Sequence, residues 1–417
     1  MQTKKTHWAS TLTLLVLCLS ILFLLLLVAI LGIGSVINLF NEDGDAVVGM
    51  ISAAAFGFEI VILVISVWFI LQKALGREPI DLPFTHLFAD WHLIPVIGLV
   101  LVGLTAGGLA AFSEIRWLGW LIMPFSTILV IVPPIWLLLG YGSRGLDAGP
   151  RWRVFTVLGI GMTIGPVIMV VLELVALMGI IIAGVILLAV LEPATFQELM
   201  RLSDIVQTET NPDVLLSLFA PYISNPFAIA TGIGYIALIV PLIEELLKPL
   251  AVWLFASKIE SPTQGFVLGL ISGAAFALIE SLNASADGTT SWAVIVAVRA
   301  GTGILHMTAS GLVGWGIVSA FKEKRYGRFF AAYFSAVMIH GIWNAAAIGT
   351  GLSAIGESIG KPEWLFNFAP ALICGLLVMG VGMFVVLLAS NRKLRNISKL
   401  IVAKENDIIE EEVQLPA

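Results

Sequence analysis

The stretch Pro241-Leu-Ile-Glu-Glu-Leu-Leu-Lys248 places three charged side chains inside an apolar run from about residue 227 to residue 256. A charge at the centre of a membrane-spanning helix costs about 2.5 to 3.5 kcal/mol on insertion scales, so three of them need a reason. At helical spacing, Lys248 can neutralise either Glu244 or Glu245. The second carboxylate can serve in proton transfer, or the three charges can form an ion cluster that only locks helix packing.

The composition excludes a water-soluble globular protein. Hydrophobic residues make up 59% of the 417 residues and charged residues only 12%, and the mean hydropathy is +1.01. These values are typical of a chain that lies mostly within a lipid bilayer. No basic patch suited to nucleic acid is visible. We therefore predict an all-α, polytopic helical membrane protein whose partners are lipid and membrane proteins.

Hydropathy predicts ten spans, each long enough to cross about 30 Å of hydrocarbon. The predicted spans are residues 10–33, 47–71, 93–112, 117–141, 154–191, 227–257, 264–283, 292–320, 329–351 and 366–390. The fifth is long for a single helix, and splitting it into two spans would reverse the orientation of every later one. We predict one helix with a kink at Gly165-Pro166, because proline breaks the helical hydrogen-bond ladder.

The basic residues predict the orientation. Most of the 22 Lys and Arg residues fall in connections on the same side as the N-terminus, which indicates that both termini are cytoplasmic. We divide the chain into a five-helix accessory region (1–191), an external amphipathic segment (192–226), a five-helix core (227–390) and an acidic cytoplasmic tail (391–417). The core holds nearly all of the intramembrane ionisable groups.

Four helices of the predicted core carry the side chains that can do chemistry. These are Glu244, Glu245, Phe276, Glu280, Arg299, His306, His340 and Asn344. Counting from the basic helix ends at 1.5 Å per residue puts both histidines, Glu244 and Glu280 at one depth of about 18 to 25 Å, with Arg299 nearer the outer mouth. Packing alone does not readily explain three acids, two histidines and an amide in one layer.

Other polar or small residues have simpler explanations. We expect Glu59 and Glu173 to form hydrogen bonds between helices, and Arg299 to be the counter-ion of a carboxylate. Glycines recur along the seventh and eighth spans. They are Gly265, Gly269, Gly273, Gly301, Gly303, Gly311 and Gly314. They either let these helices approach closely or leave room for water or an extended peptide.

The ordered set of motifs resembles the PrsW family of intramembrane proteases, distant relatives of the CAAX prenyl endopeptidases and bacterial immunity-type proteases. The motifs, which cover about residues 227 to 351, are Glu244-Glu245-x-x-Lys248, Phe276-x-x-x-Glu280, His306 with Gly314 eight residues on, and His340-x-x-x-Asn344. The resemblance implies an intramembrane endopeptidase of the bacterial cell membrane with residues 227–390 as its catalytic core. It also implies a single-pass regulator, such as an anti-sigma factor, as substrate.

The resemblance assigns a role to each motif residue. Glu244 or Glu245 would activate water, and Glu280 would assist. His306 would share in catalysis or hold a metal ion. His340 and Asn344 would stabilise the oxyanion. Beside these roles, we expect three residues to support the site, and they are Lys248, Phe276 and Arg299.

Two mechanisms and three functions remain open from the sequence. A zinc ion could be held by ligands chosen from His306, His340, Glu280 and Glu244, or the glutamates could act without metal. We prefer the metal-free route because no His-Glu-x-x-His motif is present. A proton-coupled transporter and an inactive membrane scaffold are the alternatives to a protease. The sequence does not give the oligomeric state.

Overall fold

The computed structural model describes residues 8–41, 45–77, 92–209, 211–223, 225–355 and 363–413. These residues form helices joined by turns and short connections, and no β-strand occurs among them. The predicted all-α fold class is confirmed.

The helices follow one another along the chain with few intervening residues. They are α1 (Trp8–Asn41), α2 (Ala46–Ala74), α3 (Leu93–Phe112), α4 (Arg116–Ser143), α5 (Arg151–Met162), α6 (Ile164–Leu191), α7 (Pro193–Val206), α8 (Pro212–Ile223), α9 (Pro226–Gly234), a π-helical turn (Tyr235–Ile239), α10 (Val240–Leu247), α11 (Leu250–Phe255), α12 (Pro262–Ala284), α13 (Trp292–Glu323), α14 (Tyr326–Ile355) and α15 (Glu363–Val413).

Ten helical stretches among the described residues are long and apolar enough to cross a membrane. Each overlaps one of the ten predicted spans, so the polytopic architecture is confirmed. The cytoplasmic placement of both termini stays a prediction, because helix length and composition do not report which side of the membrane an end faces.

The fifth predicted span contains the expected break, slightly earlier than predicted. Helix α5 ends at Met162, and Thr163 has non-helical backbone angles (φ −126°, ψ −90°) before α6 begins at Ile164. Proline lacks a backbone N–H, and its ring clashes with the carbonyl four residues before it. The break places Pro166 in the first turn of α6, where an N–H needs no helical partner.

Two short helices, α7 and α8, occupy the predicted external segment. Both begin at a proline, which suits the first turn of a helix because its missing N–H would have no helical acceptor there. Among its described side chains, α7 buries none. The short helices predicted for residues 192–226 are confirmed, and their position along the membrane interface stays a prediction.

The described residues pack as two compact units. The first draws on Met1–Pro166, Lys248–Tyr333 and Gly382–Ala417, and the second on Val167–Leu247 and Phe334–Val381. The core of the first unit is the pair α12 and α13, which bury most of their residues and are surrounded by α2, α4 and α5. The division into accessory region, external segment, core and tail stays a prediction from sequence.

Glycines allow α12 and α13 to approach backbone to backbone. A Cβ atom on Gly265 would lie 2.6 Å from the carbonyl oxygen of Gly314. A Cβ on Gly269 or on Gly273 would overlap the carbonyl oxygen of Ser310 or of His306. The predicted glycine stripe of the seventh span therefore serves close packing, as small residues do between membrane helices.

Candidate active site

The sixth span is interrupted by a π-helical turn just before the two glutamates. In this turn the N–H of Val240 bonds to the carbonyl of Tyr235, five residues earlier. The next carbonyl, that of Ile236, would pair in the same register with residue 241, which is a proline and has no N–H. The sequence therefore leaves one backbone acceptor without a donor from its own helix. Single π-helical turns occur often at functional sites.

Helix α14 supplies the missing donor. Nδ2 of Asn344 donates a hydrogen bond to the carbonyl oxygen of Ile236 at 3.0 Å. Gly341, one turn earlier on α14, makes this approach possible, because a Cβ there would overlap the carbonyl oxygen of Ala237. One amide hydrogen of Asn344 thus anchors the π-helical turn. The predicted oxyanion role of Asn344 would have to use the second hydrogen, and it stays a prediction.

We expect Gly341→Ala to reduce proteolysis while leaving insertion intact. The added Cβ must push α14 from the π-helical turn by about 1 Å, and misplacement of that size can lower catalytic rates by up to about 100-fold. The rate should be measured with purified protein and compared with Gly351→Ala, since Gly351 lies on the same helix with nothing within 4 Å of its Cβ position. Equal rates in the two variants would contradict the anchoring role.

In the second unit, the imidazole of His340 lies between the two adjacent carboxylates. Its Nδ1 is 2.8 Å from Oε1 of Glu245, and its Nε2 is 3.8 Å from Oε2 of Glu244. The carboxylate of Glu245 is completely buried, whereas the Glu244 side chain is 11% exposed. The two glutamates therefore differ in kind. Glu245 orients the imidazole from within the protein, whereas the Glu244 side chain keeps some accessible surface while its Oε2 atom is buried.

The geometry also fixes which ring nitrogen of His340 carries a proton. A carboxylate accepts hydrogen bonds, so the short contact assigns the hydrogen to Nδ1. Nε2 then presents its lone pair toward Glu244. A buried carboxylate that holds a histidine in this way sets the orientation of its ring. His340 is thus prepared to accept a proton or bind a metal ion at Nε2.

The first unit brings together the other predicted site residues. Lys248 donates from Nζ to Nδ1 of His306 at 2.9 Å, and Nε2 of His306 is 2.8 Å from Oε2 of Glu280. Because an ammonium group can only donate, Nδ1 of His306 is the acceptor, and Nε2 lies at ion-pair distance from Glu280. Both ring nitrogens of His306 are therefore engaged in this arrangement, which is buried at His306 and Lys248.

Arg299 and Phe276 complete this cluster. NH1 of Arg299 lies 3.0 Å from Oε1 of Glu280, which confirms the prediction that Arg299 is a carboxylate counter-ion. Nζ of Lys248 is 4.6 Å from the centre of the Phe276 ring, a cation–π contact, and the same ring packs edge-on against His306. The predicted aromatic partner of the seventh span thus contacts both the cation and the imidazole.

The turn at Lys248 and Pro249 ends helix α10, contrary to the predicted continuous helix. Pro249 has no N–H to donate to the carbonyl of Glu245, so the helical ladder stops there. The hydroxyl of Ser272 donates a short hydrogen bond to the carbonyl of Lys248. Sequence reasoning missed this serine, which lies among small residues and carries no signal of its own. Lys248 is held outside the regular helical register.

The two other intramembrane acids have separate partners. Nδ2 of Asn283 donates to Oε1 of the buried Glu59 at 2.9 Å, which confirms the predicted hydrogen bond between helices. The backbone carbonyl of Glu173 accepts from the hydroxyl of Tyr235 at 2.8 Å. Tyr235 and Asn283 were not singled out from the sequence, because a lone Tyr or Asn in an apolar span has no spacing partner.

Three side chains of the second unit have the arrangement of a metal-binding group. Glu244, Glu245 and His340 are buried and each offers a ligand atom, and these atoms lie within 4.8 Å of one another. Imidazole nitrogen and carboxylate oxygen are ligands of zinc in proteins. Nε2 of His340 and a carboxylate oxygen of Glu244 would hold such an ion. The donor set fits zinc.

Comparison with known proteins identifies the family. A family model described as PrsW family intramembrane metalloprotease matches residues 149–390, which is more than half of the 417 residues. The match includes every motif residue from Glu244 to Asn344. No curated protein matches the chain, and no solved structure does. The chain therefore belongs to the PrsW family of intramembrane metalloproteases and is an integral membrane protease.

Proposed function

We propose that the protein hydrolyses a peptide bond of a single-pass membrane protein, with Glu244 accepting the proton of the attacking water. The observation that carries this proposal is the different exposure of the two carboxylates on either side of His340, 11% for Glu244 and none for Glu245. Peptide hydrolysis needs a base that both reaches water and is held in position. Glu244 would meet the first condition through its accessible part, and the neighbouring Glu245 and His340 pair would meet the second.

A zinc ion would be held by Nε2 of His340 and a carboxylate oxygen of Glu244, with Glu245 fixing the imidazole from the other side. When bound, zinc polarises the scissile carbonyl and lowers the pKa of water. The description of the family as metalloproteases favours this route over the metal-free one that we preferred from the sequence. A carboxylate has two oxygens, so one oxygen of Glu244 can hold the ion while the other takes the proton.

The cluster of the first unit would assist catalysis through Lys248. Only two residues separate Lys248 from Glu245 in the sequence. Nε2 of His306 lies 2.8 Å from Glu280, and its Nδ1 accepts a hydrogen bond from Lys248, so these groups would hold or move a proton. Asn344 would offer its second amide hydrogen to the oxyanion. The family assignment favours protease activity over the transporter alternative.

The substrate class follows from the resemblance. Within the proposed catalytic core of residues 227–390, the groups named above lie on membrane-spanning stretches, so the scissile bond would lie within or beside the bilayer. A single-pass regulator such as an anti-sigma factor presents one extended segment there. Residues 1–191 would then be an accessory region, and residues 391–417 a cytoplasmic tail.

The experiment is cleavage of a panel of single-pass membrane proteins by purified protein in lipid nanodiscs, with metal content measured in parallel. We expect the wild type to cleave at least one candidate and to contain about one zinc per chain. His340→Ala should lose both activity and zinc, because it removes the ligand at Nε2. Cleavage that survives His340→Ala contradicts the proposed site, whereas a metal-free wild type that still needs His340 restores the metal-free route.

A further inference from the structure

The first unit contains a cavity at the ends of its spans, of about 450 Å³. Apolar side chains line it, among them Phe266, Leu312 and Leu394, which we call the apolar wall. Three cations also line it, Arg325, Arg328 and Lys393, which we call the cationic wall. None of these six residues belongs to the candidate active site. The cavity is therefore amphipathic, because both apolar and cationic side chains line it.

The cationic wall has an excess of positive charge. Among the described residues that line the cavity, Glu323 is the one acid, and its carboxylate lies 2.6 Å from Arg328 and 3.6 Å from Arg325. One carboxylate against three cations leaves two net positive charges. The guanidinium of Arg328 also lies 5.2 Å from the centre of the Trp315 ring, which holds it in place by a cation–π contact. An anionic ligand complements this wall.

The cavity lies near the ends of helices that are long and apolar enough to cross a membrane. Arg325 and Arg328 lie at the end of the Trp292–Glu323 span and the start of the Tyr326–Ser353 span. Lys393 lies near the end of the tenth span predicted from the sequence, at residue 390. Basic pockets between membrane helices on the cytoplasmic side bind anionic lipid headgroups. This end of the helices is the one that we predict to face the cytoplasm.

We propose that this cavity binds one anionic phospholipid, with its phosphate against Arg325, Arg328 and Lys393 and the first part of an acyl chain along Phe266, Leu312 and Leu394. The apolar wall favours a lipid over a soluble anion, which would leave that wall facing water.

The test is binding of phosphatidylglycerol to the purified full chain, followed by native mass spectrometry and by the thermal unfolding midpoint. We expect phosphatidylglycerol to bind and raise the midpoint, and phosphatidylcholine to do neither. The triple variant Arg325→Gln, Arg328→Gln, Lys393→Gln should weaken phosphatidylglycerol binding at least tenfold. The single variant Lys393→Gln leaves the ion pairs between Glu323 and the two arginines intact, and it should weaken phosphatidylglycerol binding about threefold. This variant keeps the test valid if the triple variant does not fold.

A matched control removes the same charge from the same side. Lys258→Gln, Arg392→Gln and Lys399→Gln change three exposed cations that do not line the cavity, and binding should be unchanged in this variant. An equal loss of binding in the control would overturn the proposal, because it would show general surface attraction. Competition by millimolar inorganic phosphate would also overturn it, in favour of a soluble anion. The outcome is independent of the proposed proteolysis.

Discussion

Glu244→Gln is expected to lower the rate of peptide-bond cleavage by about 10²- to 10⁴-fold, the range over which a positioned general base accelerates reactions. Glutamine has nearly the same shape but cannot accept a proton at neutral pH. The substitution leaves the packing around a mostly buried side chain intact, so insertion and thermal stability should change little. Steady-state cleavage of a reconstituted substrate should show the loss in kcat rather than in KM, because the proton is taken in the transition state.

Glu245→Gln tests whether Glu245 only orients the imidazole of His340 or is itself the group that takes the proton. A glutamine at this position keeps an amide oxygen that can accept the hydrogen of His340 Nδ1, now 2.8 Å from the carboxylate. The imidazole should therefore remain oriented beside a partner that has lost its charge, and we expect a loss of about 10-fold, the lower limit for removing a group that supports a metal-binding histidine. A larger loss from Glu245→Gln than from Glu244→Gln would exchange the roles assigned to the two residues.

Glu59→Gln is the matched control for both variants. It makes the same chemical change at another buried acid of a membrane span, and the amide oxygen can still accept from Asn283. Glu59 contacts none of the proposed catalytic groups among the hydrogen bonds described above, so activity should stay within about twofold, the change expected when no functional contact is removed. Loss of cleavage in all three variants would indicate a general effect on folding.

The spans could be predicted from sequence because a membrane imposes a simple requirement. A helix must be apolar over about 20 residues to cross the hydrocarbon, and this pattern is local. The break near Pro166 was also predictable, since proline acts on the turn that precedes it. The exact position of the break, at Thr163, depends on which helical turn accommodates the ring of Pro166. Packing against neighbouring helices determines that turn.

The interruption of the sixth span could not be predicted by the same reasoning. Pro241 could be tolerated by a bend, a kink or a π-helical turn, and the sequence of this span favours none of them. The outcome depends on Asn344, more than 100 residues away, which supplies the donor for Ile236. For the same reason, Lys248 was expected in helical register with the glutamates, although the turn at Pro249 ends the helix at Leu247.

The candidate residues were predicted better than their contacts. Spacing along a helix reveals that Glu280 and Phe276 share a face, but it does not reveal that His306 lies between Lys248 and Glu280. Nor does it reveal that His340, rather than Lys248, lies between the two adjacent acids. Contacts across helices depend on rotation and depth together, whereas the sequence provided only an estimate of depth.

Gly273→Ala is expected to destabilise the protein and to impair cleavage as well. The added Cβ would overlap the carbonyl oxygen of His306, so α12 and α13 must separate or shift. Overpacking of this kind costs about 1 to 3 kcal/mol of unfolding free energy. The displaced backbone belongs to the histidine that contacts Glu280, and the loss of activity should therefore exceed what the change in stability alone produces.

Two further glycines make this prediction specific. In Gly269→Ala the added Cβ would overlap the carbonyl oxygen of Ser310, which lies one helical turn after His306. This variant should destabilise the protein by a similar amount but have a smaller effect on cleavage. Gly301→Ala lies on α13 with nothing within 4 Å of its Cβ position, and it should be neutral or stabilise the helix by up to about 1 kcal/mol. Unfolding free energies from a denaturing-detergent titration, measured beside cleavage rates, distinguish the three. If Gly273→Ala and Gly301→Ala unfold at the same detergent concentration, α12 and α13 do not require the close backbone approach, and the position of His306 has another cause.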